Sequence, residues 1–313
     1  MARTNPALQL FGLAAQYGRT LLVVGLLAGI FLPELASAMR PWLQELVALL
    51  MFLAALRIGP KNAFGALADA PKIIGITAIN QLVLPLVLIA LFWSIGMLET
   101  NLATALILMA AASSISGSPN LTIMVGADPA PALRLLVIGT ALLPLTVLPV
   151  FYCLPVLGSP TMVMIAAAKL LGVIALSALL AFGLRRLFLS DPGPEATRAI
   201  DGCSAIAMAV IVVGLMSSVG STLATDPAEF VSWLAIAFLV NFGLQLAAYY
   251  VLGSTVQANE RTAFAIIAGN RNIALFLVAL PAEIIDPVLL FIGCYQIPMY
   301  LTPIVMKRFY ARN

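Results

Sequence analysis

Apolar runs follow one another along almost the whole chain. Ten can be drawn, at 20–39, 42–56, 73–97, 102–125, 133–157, 161–184, 199–219, 230–252, 262–281 and 288–306. A run of roughly 20 apolar residues is what a helix needs to cross a hydrocarbon layer ~30 Å thick. In lipid every backbone polar group must be bonded internally, so only helices or a closed barrel can span. These runs are rich in Leu, Val, Ile, Ala and Phe at helical length. They are not the alternating ~10-residue segments of a barrel. Charged residues make up 9% of the 313, where a water-soluble globule has about 25%. The fold class expected is an all-α, multi-pass membrane protein with little chain left for a soluble domain.

The composition also removes chemistries. There is no His, which excludes His-based triads, His metal sites and His proton relays. Cys153, Cys203 and Cys294 fall in three different runs without CxxC spacing. They read as small core residues, neither a disulfide framework nor a metal cluster. No cofactor, metal or nucleic-acid partner is expected, no protein partner is evident, and an enzyme is not expected. Arg3 and Arg19 precede the first run, and Ala36-Ser37-Ala38 resembles a signal-peptide cleavage site. The region before the run is long for a signal peptide, so the run is expected to be the first span.

Lys and Arg set the orientation. With the N-terminus inside, thirteen of the 16 fall on the inner side: Arg3, Arg19, Arg57, Lys61, Lys72, Arg134, Arg185, Arg186, Arg198, Arg261, Lys307, Arg308 and Arg312. The outer side holds only Arg40, while Lys169 and Arg271 lie within runs. An even count with both termini cytoplasmic follows, in a membrane expected to be the bacterial inner one. Gly158-Ser159-Pro160 marks the midpoint. The chain then divides into 1–157 and 158–313, five spans each, and an odd unit repeated once must insert upside down. Inverted repeats of this kind are common in secondary transporters.

Two runs are interrupted at matching places, the fourth of each half. Ser116-Gly117-Ser118-Pro119-Asn120 breaks one, and Gly269-Asn270-Arg271-Asn272 breaks the other. Pro119 removes a backbone donor and Gly117 adds slack; Gly269 is expected to weaken its own run. Charge at mid-membrane costs from about 2.5 kcal/mol upward and marks a functional site by default. Paired interruptions in corresponding spans are the best sequence pointer to a transport site. No Asp or Glu is central in any run, Glu45 being the nearest. Arg271 therefore pairs with Glu45, with freed carbonyls, or with a carboxylate on a substrate, which a guanidinium grips bidentately. The expected substrate contacts are Ser118, Asn120, Asn270, Arg271 and Asn272, with Lys169 as a weaker candidate that can equally snorkel outward. Asn80 and Gln81 either face the breaks or bond neighbouring helices. Arg134, at the inner start of the fifth run, reads as an ordinary positive-inside residue.

On these features the chain resembles the bile acid:sodium symporters and their bacterial relatives. The resemblance covers essentially the whole chain. It rests on Ser116-Gly117-Ser118-Pro119-Asn120 followed by Gly126, Ala132-Leu133 and Pro144, and on Gly269-Asn270-Arg271-Asn272. It implies two inverted five-span halves, fourth and ninth spans crossing near the midplane, and core and panel bundles. It also implies uptake of organic anions, such as bile acids, pantoate-like acids or keto acids, by alternating access. The chain departs from the family at the positions implied to serve sodium. Pro119-Asn120 stands for Ser-Asn, Ile267 for a Glu, Arg271 for a Gln, Arg134 and Ile138 for hydroxyls, and Asn80 for a Gln. Sodium needs oxygen ligands, so a sodium-independent carrier is expected, with Arg271 as a built-in cation. The alternatives are a sodium symporter with displaced ion sites and a membrane ligand sensor of the same fold.

Overall fold

The computed structural model describes residues 6–190, 192–253 and 255–312. Among them the chain is helical, the sole β feature being one isolated bridge. The helices are α1 Pro6–Gln16, α2 Gly18–Phe31, α3 Pro33–Met39, α4 Leu43–Gly65, α5 Ala70–Ala78, α6 Leu84–Ser94, α7 Asn101–Ala111, α8 Ser118–Val125 and α9 Pro129–Tyr152. After the midpoint come α10 Pro160–Phe188, α11 Pro194–Leu215, α12 Ser217–Thr225, α13 Pro227–Leu252, α14 Ala258–Gly269, α15 Ala282–Ile285, α16 Leu289–Val305 and α17 Lys307–Arg312. Among the described residues seven stretches are long and apolar enough to cross a membrane, or eight if α1 and α2, bent by 75°, form one span. The two interrupted runs are outside that count because their helices are short. The protein is thus an all-α protein of multi-pass membrane type.

Boundaries differ from the sequence reading in one informative place. The polar stretch 57–72, read as a link, is mostly helical. α4 runs into it as far as Gly65, with a kink at Gly59 and Pro60, and a 3-10 turn, Ala66–Asp69, leads on to α5. Pro60 lacks the N–H that would bond one turn back, and Gly59 takes the positive φ of 70° that a side chain disfavours.

The chain forms two compact units, each drawing on both halves of the sequence. The first comprises the described part of Met1–Asn62 together with Gly172–Pro227. In it α2 packs closely on α11. A Cβ on Gly25 would lie 2.7 Å from the Ala209 carbonyl oxygen, and one on Gly29 would lie 2.7 Å from that of Val213. Small residues four apart let two membrane helices approach to backbone contact. Gly29→Leu is therefore expected to destabilise the protein by roughly 3 kcal/mol. Gly12→Leu, where nothing lies within 4 Å, should leave the melting temperature in detergent unchanged.

The second unit comprises Ala63–Leu171 and Ala228–Asn313. Its buried interior includes Ile107, Leu108, Leu143, Phe264, Phe276 and Tyr295. A short π-helical turn, Ile79–Val83, joins α5 to α6. Such turns concentrate at functional sites because they re-aim side chains. Here Asn80 and Gln81, adjacent in sequence, both find partners outside their own helix: Asn80 in the second interruption and Gln81 on α9. Two ion pairs, Arg134 with Asp69 and Lys72 with Glu260, tie helix ends together.

Candidate functional site: a crossing of two interrupted helices

Both interruptions lie in the second unit, and they meet. α7 ends at Ala111, and Ala112 turns extended with ψ 151°. The chain leaves helical geometry until Ser118. Pro119 then sits in the first turn of α8, where a missing N–H is tolerated because that donor has no helical partner. It starts a helix here and does not distort one. Gly117 has an ordinary φ of −82°, and the nearest atom to a Cβ there is 3.9 Å away. The slack expected of Gly117 is therefore not what makes the break.

On the other strand of the crossing, α14 ends at Gly269 and Asn270 leaves the helix with φ −116° and ψ 86°. A 3-10 segment, Ile273–Val278, follows Asn272. Gly269 is itself helical. Its missing Cβ makes room for the Asn241 backbone of α13, not for a bend. Ser114 and Arg271 form an antiparallel bridge. The Asn272 N–H donates to the Ser113 carbonyl at 2.8 Å, and the Ile115 N–H donates to that of Asn270 at 3.3 Å. Each break thus supplies backbone partners to the other, which is the condition for irregular chain to persist away from water.

Arg271 is the largest fully buried side chain among the described residues, 1% exposed. Its Nε donates to the Ala268 carbonyl at 3.0 Å, Nη1 to the Ala112 carbonyl at 3.2 Å, and Nη2 to Asn80 Oδ1 at 2.7 Å. Ala268 and Ala112 stand at the C-terminal ends of α14 and α7. Each such end carries about half a negative charge in unpaired carbonyls. One guanidinium between two of them balances both. Among the three partners open from sequence, the carbonyls are the ones found. Glu45 belongs to the first unit.

A second polar cluster gathers at the C-terminal end of α14, with partners from α13 and α16. Asn270 is fully buried; its Nδ2 donates to the Ile266 carbonyl at 2.7 Å, and its Oδ1 accepts from Thr302 at 3.2 Å. The Gly269 carbonyl accepts from Tyr295 Oη at 2.5 Å and from Asn241 Nδ2. Gln245 Nε2 donates to Asn241 Oδ1 at 2.8 Å and to Thr302 Oγ1 at 3.1 Å. Asn241, Gln245, Tyr295 and Thr302 were not among the sequence candidates. Asn241 and Gln245 are two amides four apart on an apolar helix, a spacing that places both on one face.

The remaining candidates separate by exposure. Asn120 is exposed and Asn272 half-buried. Ser118 is buried, and its hydroxyl accepts from Ser114 at 2.8 Å. Lys169 is exposed on α10 and makes no hydrogen bond to the crossing among the described residues. Arg134 is engaged with Asp69 at the start of α9. Ile138 and Ile267, two positions where the resemblance implies sodium ligands, pack into one apolar cluster with Ile73, Ala132, Leu135 and Phe264. Those two side chains are hydrocarbon and offer no oxygen to a sodium ion. No protein-family model matches the sequence, and no curated protein is significantly similar to it.

Proposed function

We propose that this chain is a ten-span secondary transporter of small organic anions, working by alternating access without sodium coupling. The observation that carries the reading is the crossing of two interrupted helices around a buried, fixed positive charge. Ten spans result when the two interrupted runs are added to the eight stretches of spanning length. In the inner-membrane orientation set by Lys and Arg, both termini are cytoplasmic.

Matching details in the two halves support their reading as inverted repeats, 1–157 and 158–313. The third span carries Gln81, which accepts from Thr146 of the fifth at 3.1 Å. The eighth carries Gln245, which donates to Thr302 of the tenth at 3.1 Å. Both threonines follow a Leu and lie within two residues of a Pro in their helices.

In this reading Arg271 sets the sign of the site and holds it together, and a carboxylate meets first the amides of Asn120 and Asn272. Sodium coupling in relatives of this design would need an ion where Arg271, Ile138 and Ile267 stand. The test is uptake of labelled carboxylates, among them bile acids, pantoate and keto acids, into liposomes carrying the protein. Uptake is expected to be equal in sodium and choline buffer and to fall at least tenfold in Asn272→Ala. Strong stimulation by sodium would refute the uncoupled mechanism. Absence of carboxylate uptake together with normal ligand-induced thermal stabilisation would favour a sensor of the same architecture.

A further inference from the structure

The first unit has a feature the transport reading does not use. At one end of it Leu56 of α4, Ala181 of α10 and Ile200 of α11 pack together, with Phe182, Leu184 and Leu189 against them. Just beyond, α4 kinks at Gly59 and Pro60, and Asn62 Nδ2 donates to the Ile58 carbonyl at 3.0 Å. The Arg185 guanidinium rests on this kink. A Cβ on residue 59 would lie 2.8 Å from both its Cζ and its Nε, so the guanidinium occupies the space that only a glycine leaves.

Arg185 Nε is shielded from solvent and has no hydrogen-bond partner among the described residues. Asp201, three residues past Arg198 on α11, is engaged elsewhere: its Oδ1 accepts from Arg57 Nε at 2.6 Å. Lys61, two residues past Gly59, Arg186, next to Arg185, and Arg198, one turn before Asp201, are all exposed. Glu195 is the acidic residue in the first turn of α11. The balance is positive, and a buried guanidinium N–H without an acceptor is costly to leave so. The group that matches it is a tetrahedral oxyanion, which takes two N–H bonds from the guanidinium fork.

We propose that Arg185, seated on Gly59, is the centre of a binding site for a phosphate group, with Arg57, Lys61, Arg186 and Arg198 supplying the surrounding field. The proposal is independent of the transport reading. A lipid phosphodiester and free phosphate share the chemistry. Leu187 and Phe188, next along α10 and both strongly exposed, offer an apolar flank that a lipid can use and free phosphate cannot.

The experiment takes the full chain, purified in neutral detergent, through native mass spectrometry and thermal unfolding. The probes are phosphatidylglycerol, phosphatidylcholine and inorganic phosphate. The wild type should retain phosphatidylglycerol and gain several degrees in melting temperature from it, with no gain from phosphatidylcholine. Arg185→Gln should weaken that binding at least tenfold, and Gly59→Ala, which displaces the guanidinium, should do the same. Arg185→Lys, which keeps the charge and loses the fork, should fall between. The exposed pair Lys61→Gln with Arg198→Gln should weaken binding several-fold without touching the fold, and Lys307→Gln, in the second unit, should not matter. Stabilisation by inorganic phosphate that Arg185→Gln abolishes, without a lipid adduct, would assign the site to a soluble anion. Equal retention of phosphatidylglycerol by the wild type, Arg185→Gln and the Lys61, Arg198 pair would overturn the proposal.

Discussion

Arg271→Met is expected to cost the protein about 4–6 kcal/mol and to leave little monodisperse material after size exclusion. The figure follows from what the substitution strands. The buried Ala268 and Ala112 carbonyls and the part-buried Asn80 Oδ1 each lose a charged donor. A buried acceptor left unpaired costs roughly 1–3 kcal/mol. Arg271→Lys retains the charge between the two helix ends but cannot fork to three acceptors, and about half the loss should remain. Asn80→Ala removes only the third partner and should cost about 1–2 kcal/mol. In the double variant Asn80→Ala, Arg271→Met the two losses should fall short of their sum, because they share one bond. Full additivity in detergent melting curves would show that Asn80 and Arg271 do not act through each other.

Gly269→Ala should be nearly as severe, at roughly 3 kcal/mol or more, for a reason with no charge in it. The added methyl would overlap the Asn241 backbone carbonyl and lie 2.5 Å from Gln245 Cγ. A side chain can swing away, but a helix backbone cannot without moving α13 off α14. The Asn241 and Gln245 bonds to Gly269, Asn270 and Thr302 would go with it. Gly117→Ala, in the other interruption, should be neutral or stabilising by up to about 1 kcal/mol, since its φ is ordinary and the methyl has room. Equal melting temperatures for the two alanine variants would mean that close packing of α13 on α14 is not what Gly269 provides.

These two glycines show where reading the sequence succeeded and where it stopped. Both interruptions were visible, because Gly, Pro, Asn and Arg are conspicuous against Leu and Ile. Arg271 was visible as a charge in an apolar run. What each residue does there was not visible. Gly117 and Gly269 are the same letter, yet one is dispensable in space and the other is pressed against a neighbouring backbone, a fact about α13 and not about 269. The partners of Arg271 are mostly carbonyl oxygens, which every residue has and no pattern marks. Asn241 and Gln245 were readable in principle by their spacing of four. Thr302 and Tyr295 join them only through the packing of α16. The helix across 57–72 was hidden by its polar composition, which suits a helix leaving the membrane as well as it suits a loop.

The mutual pairing of the two interruptions bears on how the chain is made. Ala112 leaves the ribosome 159 residues before Arg271, its donor. At ~5–20 residues per second that is a delay of roughly 10–30 s. For that time the Ser113 and Ala112 carbonyls have no native partner, although the fourth run has already entered the insertion machinery. Water or that machinery must hold them until residues 270–272 arrive. A chain cut at the midpoint and synthesised as two fragments would face the same need for longer, and the first fragment alone should be a prime substrate for membrane proteolysis.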